Sequence, residues 1–150
     1  MKTKILNLLT LIVMMAGLSA CTQNNGDISP WFGYWRMTAL NLDGEPDPAY
    51  NGMITWSFQN NIVAINTYNE LHDYDEGFGT WEEEDNSLIL DFTHSQGQEN
   101  AYMYTPPVIL QIPDNRTVAF TIEKRSGREI VLSRVLDSGE TMTCVLKKIY

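Results

Sequence analysis

The side chains able to do chemistry are few, and their spacing works against it. His72 and His94 stand twenty-two residues apart, without Cys neighbours and without the His-x-x-x-His spacing that sets two imidazoles around zinc. Both read as surface or pocket-rim residues. Asp73-Tyr74-Asp75-Glu76-Gly77 invites comparison with a calcium loop, and Glu84 falls at the twelfth place counted from Asp73. Phe78 then takes the sixth place, where the tight turn needs glycine, so the pattern fails. Glu82-Glu83-Glu84-Asp85 offers four carboxylates in a row. Consecutive strand residues point to opposite faces, so these groups cannot converge as a general acid and base without a partner strand. Cys144 lies in the alternating run Met142-Thr143-Cys144-Val145-Leu146, where an unactivated cysteine behaves as a small buried hydrophobe. There is no serine-centred nucleophile elbow and no glycine-rich phosphate loop. The expectation is a protein that is not an enzyme and carries no metal or cofactor.

The remaining cysteine has a different context. Lys2 and Lys4 precede the mostly apolar stretch Ile5 to Gly17, and Leu18-Ser19-Ala20-Cys21 closes it with small residues. That order is a secretory leader. A membrane-spanning helix needs about twenty apolar residues, and this run is shorter and interrupted by Asn7 and Thr10. Leu18 to Cys21 resembles the lipobox of bacterial lipoproteins. The resemblance implies that the Cys21 thiol is acylated, with palmitate-like chains, and becomes the new amino terminus. Each buried methylene contributes about 0.8 kcal/mol, so several chains hold a domain at a bilayer without spanning it. In enterobacterial lipoproteins Asp after the cysteine signals inner-membrane retention, so Thr22 resembles an outer-membrane address. Thr22-Gln23-Asn24-Asn25-Gly26 lacks the acidic run associated with surface export, which favours the periplasmic side over the cell surface. The expected organisation is a leader over 1–20, a lipidated flexible tether over 21–30 ending in Pro30, and one domain over 31–150.

Composition sets the remaining bounds. Of the 150 residues 43% are hydrophobic and 19% charged, with five Phe, four Trp and seven Tyr, which excludes a disordered or collagen-like chain. The formal charge of −9 becomes more negative once Lys2 and Lys4 leave with the leader. Nucleic acid is excluded as an expected partner, because phosphate binding needs clustered Lys and Arg.

From Trp35 onward, apolar residues recur at every second position in short runs separated by Gly, Pro, Asn and Asp. Met53 to Tyr68 reads as a hairpin turning at Asn60-Asn61, since asparagine tolerates positive φ. Pairing Gln59 with Ile62 sets Phe58 opposite Val63, Trp56 opposite Ile65 and Ile54 opposite Thr67, with the large apolar groups on one face. Further strands are expected at Trp35–Leu42, Glu76–Glu82, Ser87–Phe92, Val108–Ile112, Val118–Lys124, Arg128–Val135 and Thr141–Lys148. All six prolines fall outside these strands. The inward set includes Leu88, Leu90, Phe92, Val118, Phe120, Ile122, Ile130 and Leu132. The fold class is all-β, an antiparallel up-and-down barrel of eight or nine strands, with a β-sandwich as the alternative.

Gly33-Tyr34-Trp35 at the start of the first strand resembles the Gly-x-Trp signature of lipocalins. Similar lipocalin-like domains occur in lipoproteins of Bacteroidetes. The resemblance covers about residues 31 to 150 and implies a barrel closed at its base by Gly33, Trp35 and a basic side chain from a late strand packed over the tryptophan. Arg134 fits that role, with Lys147 as competitor. The Thr-Asp-Tyr signature has no counterpart, and Val135 to Thr141 is too short for the helix that long lipocalins insert there. Alternation places Trp56, Phe58, Tyr68, Phe78, Trp81 and Phe120 near the interior, as candidate ligand-binding residues. Two functions follow. One is an outer-membrane-anchored lipoprotein whose barrel binds a small apolar or amphipathic ligand. The other is a protein-interaction module or inhibitor with a filled barrel, meeting an envelope protein through its loops and through Tyr102, Met103 and Tyr104.

Overall fold

The computed structural model describes residues 30–68, 74–93, 105–113 and 116–149. Nine strands form within them: β1 Gly33–Leu42, β2 Glu45–Pro46, β3 Ile54–Gln59, β4 Ile62–Tyr68, β5 Tyr74–Glu84, β6 Ser87–Asp91, β7 Thr117–Arg125, β8 Glu129–Val135 and β9 Thr141–Lys148. From β3 to β9 each strand pairs antiparallel with the next, β1 pairs with β3, and β9 returns to pair with β1. Eight strands therefore close a barrel, and β2 is a short addition on β1. Closure leaves no sandwich of two separate sheets, so the barrel expectation holds and the alternative does not.

Turn chemistry fixes the registers. Asp43-Gly44 bends with φ of 48° and 86°, while Asn60 and Asp85 take φ of 55° and 54°. These are left-handed values that Asp, Asn and Gly adopt most readily. The expected register of the β3–β4 hairpin is the one found, with Gln59, Phe58, Trp56 and Ile54 facing Ile62, Val63, Ile65 and Thr67. A β-bulge between Met37 and Ala39 lets β1 bend as it runs along β9.

Two expectations about elements are corrected. Val108–Ile112 is no strand: Val108–Leu110 forms a 3₁₀ turn, with Gln111 at φ 50°. Pro106 and Pro107 just before it supply no backbone donors for a ladder, and a short apolar run has no periodicity to separate a strand from a turn. Pro46 does lie in a strand, paired with Asn41 in two-residue β2, an edge position where a missing N–H costs no ladder bond.

The core is continuous. Twenty-two buried side chains pack together along the barrel, among them Trp31, Trp35, Trp56, Phe58, Phe92 and Phe120. The expected inward set is buried, except that Val118 is partly exposed and packs against the cluster. Leu110 and Ile112 belong to the same cluster, so the segment Thr105 to Pro113 tucks into the barrel as a plug. Gly77 of β5 makes room for it, because a Cβ there would lie 2.3 Å from the Thr105 carbonyl oxygen.

Candidate functional site

Register distinguishes the two ends of the barrel. At one end stand the start of β1, the end of β9 and the β7–β8 turn; at the other lie Leu42, Met142 and Arg134, which neighbour one another across three strands. The first end is closed by tryptophan. Trp35 is fully buried, and its indole Nε1 donates to the Trp31 carbonyl at 2.7 Å. Gly33 holds φ at 119°, a conformation that side chains with Cβ rarely adopt, which is the physical reason for glycine in Gly-x-Trp here. Lys148 sits 5.3 Å above the Trp35 ring. The residue expected there, Arg134, is at the opposite end, so that assignment is corrected, and its competitor Lys147 neighbours Arg36 instead. Period two accounts for both outcomes: Met142, Cys144, Leu146 and Lys148 share the inward face, and Lys148 is directly opposite Trp35.

Trp31, two residues before the signature, was not singled out by the sequence. It has 0% exposure, packs tilted against Phe58 at 5.1 Å and Trp81 at 5.8 Å between ring centroids, and donates from Nε1 to Glu83 at 2.7 Å. Arg125 pairs with Glu83 and lies 5.9 Å over the Trp31 ring. Its only advance signal is a large aromatic directly after Pro30.

The six candidate ligand residues separate into three groups. Trp56, Phe58 and Phe120 are core: Trp56 meets Phe120 edge-on at 6.2 Å and tilts against Phe58 at 6.2 Å, with none of the three more than 2% exposed. Trp81 packs against Phe58 at 5.3 Å and joins the Trp31 group at the closed end. Tyr68 and Phe78 are not interior. On β5 the inward positions go to Gly77 and Gly79, whose Cβ sites are filled by Thr105 and by the Phe92 ring. Phe78 therefore occupies the other face, and Tyr68 pairs with Tyr74 at the end of the hairpin, rings 5.7 Å apart. Two glycines set the parity of this strand, contrary to the rule that apolar side chains point inward.

Among the described residues the core side chains pack through the middle of the barrel, and space opens at the mouth. A cleft of about 880 Å³, open to solvent, lies between the plug and the ends of β3, β4 and β5. Ile54, Thr67, Asp75 and Gly77 form its strand wall, Thr105 to Ile109 the plug wall, and Ala49 and Asn51 the rim, with Tyr74, Glu76 and Phe78 completing it. Of the six candidates, only Phe78 lines it. Arg134 holds the plug from the other side: its Nη2 donates to the Leu110 and Gln111 carbonyls at 2.8 and 2.9 Å, and its guanidinium lies 5.4 Å over Phe120. Burial pushes this guanidinium's pKa down.

Nucleophilic chemistry finds no foothold in Cys144. It is fully buried, and burial pushes its thiol up to about 12, far from the thiolate that reactivity requires. Tyr50 likewise rises to about 12 through burial, with its hydroxyl donating to the Met37 carbonyl. No group of three or more His, Cys, Asp or Glu suited to a metal occurs among the described residues. His72, Asp73, His94, Tyr102, Met103, Tyr104 and Cys21 lie outside the described residues.

A closed antiparallel meander of eight strands with one sealed end and a cleft at the other defines a lipocalin-type barrel. The comparisons agree. The lipocalin-like domain family matches residues 14–142, and the chain belongs to that family. A lipocalin-like protein from Bacteroides uniformis, known by crystal structure, superposes with a TM-score of 0.60 at 13% identity, covering 81% of this chain and 100% of its own. The crystal structure of an uncharacterized protein from Bacteroides eggerthii gives 0.56 at 15% identity, covering 78% and 98%. At such identities the shared property is the fold. None of the curated proteins matches the sequence.

Proposed function

We propose that the chain is a lipid-anchored envelope protein that binds a small apolar or amphipathic ligand in the cleft at its barrel mouth. The observation that carries this is the cleft itself, whose 880 Å³ falls within the 300–1,000 Å³ usual for small-molecule sites. Ile54, Pro106, Val108 and Ile109 give it apolar walls, while Thr67, Asn51 and Asp75 supply a few polar groups to orient a ligand. Filling of the interior by Trp56, Phe58, Phe120 and the plug moves the ligand from the barrel axis to its end. The family supports this reading, being in general a binding fold rather than a catalytic one.

The anchor, the outer membrane and its periplasmic side rest on Cys21 and the leader alone. The second reading, a protein-interaction module, is favoured by one observation: the packed barrel axis leaves the loops and mouth as the surface available to a partner.

Native mass spectrometry of the protein purified from its own envelope tests the ligand reading. We expect an adduct of small-molecule mass that disappears in Ala49→Trp, which fills the rim. A bare protein mass in both forms would favour the protein-interaction reading.

A further inference from the structure

The walls of the cleft bear charge of one sign. Between Met37 and Asn115 the sequence contains no Lys or Arg and fourteen of the nineteen Asp and Glu residues. Every residue lining the cleft comes from this stretch. Of the seven basic residues that follow, none lines the cleft, and Arg134, which holds the plug, is committed to the Leu110 and Gln111 carbonyls and the Phe120 ring.

The carboxylates are placed to matter. Asp75 is paired with Thr67 and shares the inward face of β5 with Gly77, at the strand wall. Glu76 lines the cleft next to it, beside the rings of Tyr74 and Phe78. Aromatic faces attract organic cations. An anionic headgroup at the strand wall would meet the Asp75 carboxylate and no guanidinium fork, which is the usual means of holding a carboxylate, while Glu76 on the other face of the strand adds to the field at longer range.

We propose that the cleft selects cationic amphiphiles, organic amines carrying an apolar tail, over fatty-acid-like anions of the same length; this rests on the cleft being the ligand site. At a separation of about 6 Å, one carboxylate favours a cation over a neutral headgroup by a factor of about three at the dielectric of water and about a hundred at that of a protein surface, and disfavours an anion by the same factor. The cation-over-anion ratio is the square of that factor, so an open cleft is expected to prefer the cation by about tenfold or more.

The test is calorimetric titration of the full chain carrying Cys21→Ser, so that no acyl group competes, with decyltrimethylammonium, decanoate and 1-decanol, each below its micellar concentration. The expected result is one site per chain, with the ammonium compound binding at least tenfold more tightly than decanoate. That ratio should fall to about threefold or less in Asp75→Asn combined with Glu76→Gln, and binding should vanish in Ala49→Trp. Circular dichroism identical to the parent establishes that each variant is folded. Equal or reversed affinities would overturn the charge selection while leaving the cleft as a ligand site. Ammonium binding that persists in Ala49→Trp, or shows many weak sites, would overturn it by assigning the attraction to the acidic surface at large. Failure of all three probes would remove the ligand reading itself.

Discussion

Trp31 is the residue on which the sealed end depends, because it joins Phe58, Trp81, Glu83 and Arg125 and offers its carbonyl to Trp35. Truncation to Ala leaves a cavity in a site that cannot collapse, so Trp31→Ala should lower unfolding free energy by about 3–5 kcal/mol, read from urea melts. Cys144 makes a prediction with a definite sign. Its folded pKa of about 12 lies above the ordinary 9.0, so below pH 9 its contribution is fully present. Between pH 9 and 12 the unfolded chain releases the thiol proton while the folded chain retains it, and stability falls by up to about 1.4 kcal/mol per pH unit. In Cys144→Val this part of the alkaline loss should be absent. An unchanged alkaline slope in that variant would contradict the burial argument. A thiol reagent at neutral pH should likewise leave native Cys144 untouched and modify it on unfolding.

The plug is the element whose behaviour is least like that of the strands around it. It has no ladder of its own, and its hold comes from Leu110 and Ile112 in the core, two hydrogen bonds from Arg134, and the close approach over Gly77. Gly77→Ala puts a methyl group within 2.3 Å of the Thr105 oxygen, a contact that only backbone movement relieves, at about 1–3 kcal/mol. Gly127→Ala meets nothing within 4 Å and serves as the neutral control. Hydrogen exchange should quicken in residues 105–113 of Gly77→Ala far more than in β7, β8 and β9. Uniform acceleration across the barrel would show that the plug and the sheet open as one unit.

For the whole molecule, membrane attachment and barrel folding are expected to be separable. The described residues begin at Pro30, nine residues beyond Cys21, and the barrel closes by pairing β1 with β9. Cys21→Ser should therefore move the protein into the soluble fraction while leaving its unfolding transition unchanged. Continued sedimentation with membranes after alkaline carbonate washing would remove the lipoprotein proposal.

Much of the fold was legible in local pattern. Alternation along Met53 to Tyr68 set a register that recurs residue for residue, because a slip of one place would turn Trp56, Phe58, Val63 and Ile65 out to water. Turn residues at Asp43, Asn60 and Asp85 were readable because positive φ restricts the choice of side chain. The candidate site was less legible. On β5, Gly77 and Gly79 face inward and Phe78 does not, since space there is set by the plug arriving from another part of the chain. Lys148 over Trp35, Arg134 on the plug and the cleft at the mouth all depend on which strands become neighbours and which end is sealed. Hydrophobic period and turn chemistry are properties of adjacent residues, so the sequence determined most of the strands and the register of the β3–β4 hairpin. Volume and contact between distant segments exist only after the barrel closes, and so tertiary structure alone decided where it is full and where it is open.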